Sequence, residues 1–346
     1  MRTLLLLFLL CVIPVSAQTD SAVLGDQNSY ISASISRARA LAMGSAYHSL
    51  VDDFSSGLYN PGAFRLNSTR EENNFRLFFN PVGMGVAMYD YSKYNRDFER
   101  DDKLTLSEGL FAASMILKGA VYTTPLFDFG FNLGEEIISD STFFKQQNRF
   151  FSAEKFVYSS FNSAYVNFKI ASAVSLGLSG TLYNSRTDGN TLKKGGYTFG
   201  VLLKPNPKLN VGIVYHEIPE EFSSARFPIE SIENETVTSG VSYYPDEKTV
   251  FSIDLRNLNK EDKFASREIH TGVERCIGKR LAVRAGYYRK KQTQNDVYSF
   301  GIGILPFWGK ISKYVNSSRN DIFSYSFIIE ENGTRRWHVF SLLLRL

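Results

Sequence analysis

The chain has 346 residues, a formal charge of +4, 43% hydrophobic residues, 28 Phe and 19 Tyr, and a mean hydropathy of −0.17. A helical membrane protein needs apolar runs of about 18 residues or more, which this chain lacks, and a disordered chain would not carry 14% aromatic residues. So small a charge gives no electrostatic case for nucleic-acid binding.

Residues 1–17 read as a signal peptide: Arg2 supplies a positive start, residues 4–13 are apolar, Pro14 breaks the run, and Val15 and Ala17 stand at −3 and −1 before Gln18. Cys11 lies inside the apolar run behind Leu9-Leu10, unlike a lipidated cysteine. After cleavage Cys276 is the single thiol, so no internal disulfide is expected.

Residues 18–66 are rich in Ala, Ser and Gly with a short helical pattern. They are too small-sided and polar to span lipid, and they precede a long β-patterned region, so they are expected to plug its lumen. Asn60-Pro61-Gly62 reads as a turn, with Asn capping through its side chain, Pro setting φ and Gly accepting a positive φ. Asp52 and Asp53 are expected to cap a helix or to pair with inward bases such as Arg256, Arg284 or Lys290. Between the first strands, Leu106, Leu110, Phe111, Ser114 and Leu117 recur at helical spacing. That stretch suits a helix over the barrel mouth, in the membrane interface, or inside the lumen. Phe143-Phe144, Phe150-Phe151 and Phe222 fall in expected loops, which suits an acyl entry site or a protein interface.

From residue 151 onward apolar and polar residues alternate with period two, the mark of strands with one face in each environment. Phe251, Ile253 and Leu255 oppose Ser252, Asp254 and Arg256; Leu281, Val283, Ala285 and Tyr287 oppose Arg284 and Gly286. Turn signals such as Lys204-Pro205-Asn206-Pro207 and Tyr244-Pro245-Asp246-Glu247 separate the runs. A soluble sandwich also alternates, but strands of about five to six residues suffice for it. These runs are nearer the length of about ten that a tilted strand needs to cross a bilayer. Their polar faces carry Gly, Ser, Thr and opposite charges, as a lumen does. Tyr243-Tyr244, Tyr287-Tyr288 and Phe307-Trp308 sit near strand ends like the aromatic girdles of a membrane barrel. The last strand, with His338, Phe340, Leu342, Leu344 and Leu346 on one face, ends flush with the chain. The fold expected is all-β: a transmembrane antiparallel barrel at 67–346 in the bacterial outer membrane.

Signs of catalysis are absent from this pattern. The four histidines, at 48, 216, 270 and 338, lack metal-ligand spacing, and neither Gly-x-Ser-x-Gly nor a phosphate loop occurs. His270 and Glu274 share the expected lumen face near Asp254, Arg256 and Arg284, which reads as an interior salt-bridge ladder supporting the plug. No enzyme activity, metal or cofactor is expected.

Ala42-Met43-Gly44-Ser45-Ala46, then Asp52-Asp53, then Asn60-Pro61 resemble the N-terminal signature of FadL-type and PorV-type outer-membrane barrels. There Met-Gly-x-Ala is followed by two acidic residues and Asn-Pro-Ala-Gly; here Gly62-Ala63 reverses the small pair. The resemblance implies a barrel of about 14 strands, with Met43, Gly44, Asp52, Asp53, Asn60, Pro61 and Gly62 in a plug that gates hydrophobic molecules such as long-chain fatty acids. The alternative it implies is a PorV-like docking component of a secretion or attachment complex. Expected partners are outer-membrane lipid and a hydrophobic small molecule, or secretion-complex proteins, and no nucleic acid.

Overall fold

The computed structural model describes residues 28–32, 37–51, 55–64, 74–81, 116–136, 159–187, 190–219, 234–259, 267–278, 280–290, 294–305, 322–330 and 335–345. The signal peptide, Asp52, Asp53, most of the amphipathic stretch before Leu117, and the Phe143-Phe144, Phe150-Phe151, Phe222 and Phe307-Trp308 positions lie outside the described residues.

In chain order the elements are β1 (Asn28–Ser32), α1 (Ala38–Ala42), α2 (Ser56–Tyr59), a 3-10 turn (Pro61–Ala63), β2 (Asn74–Phe79), β3 (Leu117–Thr123), β4 (Phe127–Glu136), β5 (Ser159–Ala171), β6 (Val174–Thr187) and β7 (Asn190–Asn206). They continue with β8 (Leu209–Glu217), β9 (Thr236–Asp246), β10 (Thr249–Arg256), β11 (Glu268–Ile277), β12 (Leu281–Arg289), β13 (Asp296–Ile304), β14 (Phe323–Glu330), β15 (Arg335–Leu342) and β16 (Leu344–Arg345). Strands β2 to β15 form one antiparallel meander of 14 strands. The chain end closes it, because β16 pairs with β2 through Leu344↔Phe79 and Arg345↔Phe78. On the same edge β1 runs parallel to β15, from Asn28↔Arg335 to Ser32↔Val339. Among the described residues no helix is long and apolar enough to cross a membrane.

The alternation becomes two faces. On β10, Phe251, Ile253 and Leu255 are 47%, 51% and 42% exposed, while Ser252, Asp254 and Arg256 are buried. The same parity leaves Phe129, Phe168, Leu178, Leu182, Phe199, Ile213, Phe300 and Ile302 exposed. The apolar side chains therefore point outward and the polar ones inward, the reverse of a soluble core. At one end most connections are tight: Asn206 Oδ1 accepts from Lys208 N at 2.9 Å and Asp246 Oδ1 from Lys248 N at 2.7 Å, the Asx turns their sequences signal, while β13 and β14 are joined from this end by the longer segment 305–322. At the other end lie the long connections 80–116, 137–158 and 218–235. The two are called below the short-turn end and the long-loop end.

Candidate functional site

Residues 37–51 and 55–64 lie inside this wall and are almost wholly buried. The path of this inner segment can be read from the glycines beneath it. A Cβ on Gly301 would meet Ala42, and one on Gly286 the backbone of Met43 and Gly44. On Gly272 it would meet the Met43 carbonyl, on Gly212 the His48 carbonyl, on Gly200 the Asn60 side chain, and on Gly177 the Pro61 carbonyl. The segment thus advances from β13 to β6 as its own numbers rise, and glycine at each step lets two backbones touch. Gly44 also needs its freedom directly, with φ +61° and Thr271 O 2.7 Å from where a Cβ would stand.

Each strand along that path also presents an inward polar group, which satisfies backbone atoms the irregular segment would otherwise bury unpaired. Ser326 donates to Ala38 O. Ser299 donates to Ala42 O at 3.2 Å and accepts from Gly44 N at 3.0 Å. His270 Nδ1 donates to Gly44 O at 2.7 Å and Arg256 to Ser45 O at 2.7 Å. Asp254 Oδ2 accepts from Tyr47 N at 2.7 Å and His48 N at 3.2 Å. Asn210 donates to Ser49 O at 3.2 Å, Ser175 to Gly62 O at 2.8 Å, and Asn167 to Phe64 O. Apolar contacts complete the seat: Ala38 and Leu41 pack with Tyr288, Val297, Ile328 and Trp337, and Phe64 meets Tyr165 edge-on at 4.6 Å.

The residues singled out in the sequence take definite places here. Met43 is buried in a cluster with Tyr47, Leu50 and Tyr59. Asn60 holds the turn as expected, accepting from Gly62 N at 2.8 Å, and its Nδ2 donates to His48 O at 2.7 Å and to Val201 O at 3.1 Å. Pro61 opens the 3-10 turn. Gly62 does not adopt the positive φ expected of it; it is required by close approach, since a Cβ would stand 2.7 Å from Gly200 O. Of the five charged positions, Glu274 and Arg284 face each other across β11 and β12 and bond at 2.6 Å. Glu274 also takes Arg39 of the inner segment at 2.8 and 3.0 Å. Asp254, Arg256 and His270 reach the segment's backbone, so the charges tie the segment to the wall as well as strand to strand. Sequence reading passed over His48, His216, Ser299, Asn210 and Asn167. The signal available for the last three was an inward-facing polar residue in a run of alternation.

A different arrangement holds on the long-loop side of β4 to β7. Pairing of β4 with β5 shifts register between Asn132 and Glu135. Gly134 at this bulge has φ +69°, and its N–H turns to Asn162 Oδ1 at 2.9 Å. Beside it lies a cavity of about 510 Å³ lined by Phe131, Asn132, Ser163, Ala164, Gly180 and Leu182 among others. Asn132 and Ser163 belong to the buried face and Leu182 to the exposed one, so residues of both faces border the cavity. Gly180 and Gly195 share the outward face with Leu182 and Tyr197, and Cβ atoms on them would meet nothing within 4 Å. An aromatic and aliphatic cluster of Phe161, Tyr183 and Ile218, with Leu58 and Leu192, adjoins it, and the Arg37 guanidinium stands 5.7 Å over the Phe161 ring. Among the described residues no group of three or more His, Cys, Asp or Glu could hold a metal ion.

No protein-family model matches the chain, and no curated protein sequence matches it. Among solved structures it is similar to the Ralstonia pickettii toluene transporter TbuX, at 10% identity and a TM-score of 0.42, covering 88% of this chain and 93% of that one. It is similar also to mutants of the Rh. blastica porin, at 12% identity and a TM-score of 0.34, covering 66% of this chain and 77% of the porin. At such scores the likeness adds nothing to what the strands themselves show.

Proposed function

We propose that this chain is an outer-membrane barrel that conducts hydrophobic small molecules, long-chain fatty acids among them, with its inner segment closing the lumen and the wall at β4 to β7 giving the solute a lateral way through. The observation that carries this reading is the β4 bulge, where a register shift lies beside an apolar cavity whose outward edge is formed by two glycines without side chains. The exposed apolar face suits lipid, and the buried polar face is committed to the inner segment, so an apolar solute finds its favourable surface at the wall. Each methylene moved from water into such a site contributes about 0.8 kcal/mol. No catalytic step is part of this reading. A docking role in a secretion complex has no observation of its own among the described residues.

Filling the opening tests the proposal. Gly180→Trp places an indole on the outward face at the edge of the cavity. Cells expressing it should take up a labelled long-chain fatty acid at least about tenfold more slowly than wild type, with the folded barrel present in equal amount. Undiminished uptake by a folded Gly180→Trp barrel would overturn the wall route, and wild-type uptake no higher than in cells lacking the protein would overturn the conduit.

A further inference from the structure

Two histidines from distant parts of the chain meet inside the barrel. His48 Nε2 and His216 Nε2 are 3.2 Å apart, with the rings nearly perpendicular. Each outer nitrogen is held: His48 Nδ1 lies 2.7 Å from Asp254 Oδ2, and His216 Nδ1 lies 3.1 Å from Thr198 Oγ1. Both rings are buried. These partners dictate where the protons sit. The Asp254 carboxylate accepts the His48 Nδ1 proton, so in the neutral ring His48 Nε2 is a bare lone pair and must accept from His216 N–H. His216 Nδ1 is then bare and accepts from the Thr198 hydroxyl.

We propose that this pair is a proton-operated catch on the inner segment. One added proton leaves it closed: His216 becomes an imidazolium whose Nε2–H still donates to His48 and whose Nδ1–H donates to Thr198, while the Asp254 charge lies on the far side of His48. A second proton can go only to His48 Nε2, and it sets N–H against N–H and charge against charge at 3.2 Å. The other charged and titratable groups facing the pair are Asp254 and Arg256 from β10, and Tyr59 from α2 stands edge-on to His48 at 5.6 Å. When the pair parts, the segment around residues 45–51 loses its side-chain tie to His216 of β8 and keeps the bond from Asn210 to Ser49 O. The strain falls on the same stretch that Asp254 holds through Tyr47 N and His48 N. The meaning of the catch for flux rests on the conduit reading; its existence does not.

Amide hydrogen exchange of the full-length barrel in detergent, corrected for the intrinsic effect of pH, tests it. Between about pH 7 and about pH 3.5, a range that extends below that in which free imidazoles gain protons because the second charge is added to a buried pair, amides of residues 45–51 should lose protection by about tenfold or more while β12 and β13 keep theirs. His216→Gln retains a donor to His48 but cannot carry the second charge, so its segment should stay protected at both pH values. His48→Gln serves the same purpose if His216→Gln does not fold. Unchanged wild-type protection would overturn the catch. Equal loss in wild type and variant would overturn it too, by assigning the change to Asp254 or to the barrel as a whole. Fatty-acid uptake measured separately at the two pH values distinguishes failure of the catch from failure of the conduit.

Discussion

Strands β5 to β7 behave differently on their two faces. On the inward face, Asn167, Ser175, Gly177 and Gly200 grip the inner segment, and a single added methyl on Gly177 would strike the Pro61 carbonyl. On the outward face of the same strands, Ala164, Gly180 and Gly195 are exposed beside a cavity, and the neighbouring β4 has slipped out of register. The backbone ladder and the small residue types are shared by both faces. What differs is that the inner segment covers the small residues of one face and nothing covers those of the other. Glycine under the segment permits close packing, whereas glycine on the outward face leaves open surface.

This contrast can be broken most forcefully at the charged anchor. Glu274→Ala takes from Arg39 and Arg284 the buried carboxylate they share and should cost about 3–5 kcal/mol, read as a lower denaturant midpoint of the detergent-solubilised barrel. The two glycines of β6 sharpen it further. Gly177→Ala should destabilise by about 1–3 kcal/mol through overpacking, while Gly180→Ala, three residues along, should stay within about 0.5 kcal/mol of wild type. Equal effects in the two would erase the distinction between gripped and open wall. The smallest change is expected at Ser299→Ala. It removes one side chain bonded to both Gly44 N and Ala42 O and should cost about 1 kcal/mol, visible as faster exchange of the Gly44 amide.

Much of the wall was legible because a strand's side chains alternate whatever surrounds them. Phe251, Ile253 and Leu255 fall on the exposed face and Ser252, Asp254 and Arg256 on the buried one, as the period-two pattern implies, and Asn206 and Asp246 make the turns their sequence contexts signal. The role of Gly62 was misread because a turn motif suggests a dihedral requirement and says nothing of a strand from elsewhere lying against it. The charged positions were legible as inward, but their partners were not: Arg39 and Glu274 are 235 residues apart, and only strand order and register bring them together.

The sequence by itself determined the class of fold and which face of each strand points inward, since both follow from local periodicity and turn chemistry. Tertiary structure alone decided that the inner segment climbs from β13 to β6 over glycines, that His48 meets His216 across 168 residues of chain, and that a cavity lies beside the β4 bulge. Those are non-local facts. They depend on how barrel closure sets one strand's register against the next, and no window of sequence contains both partners.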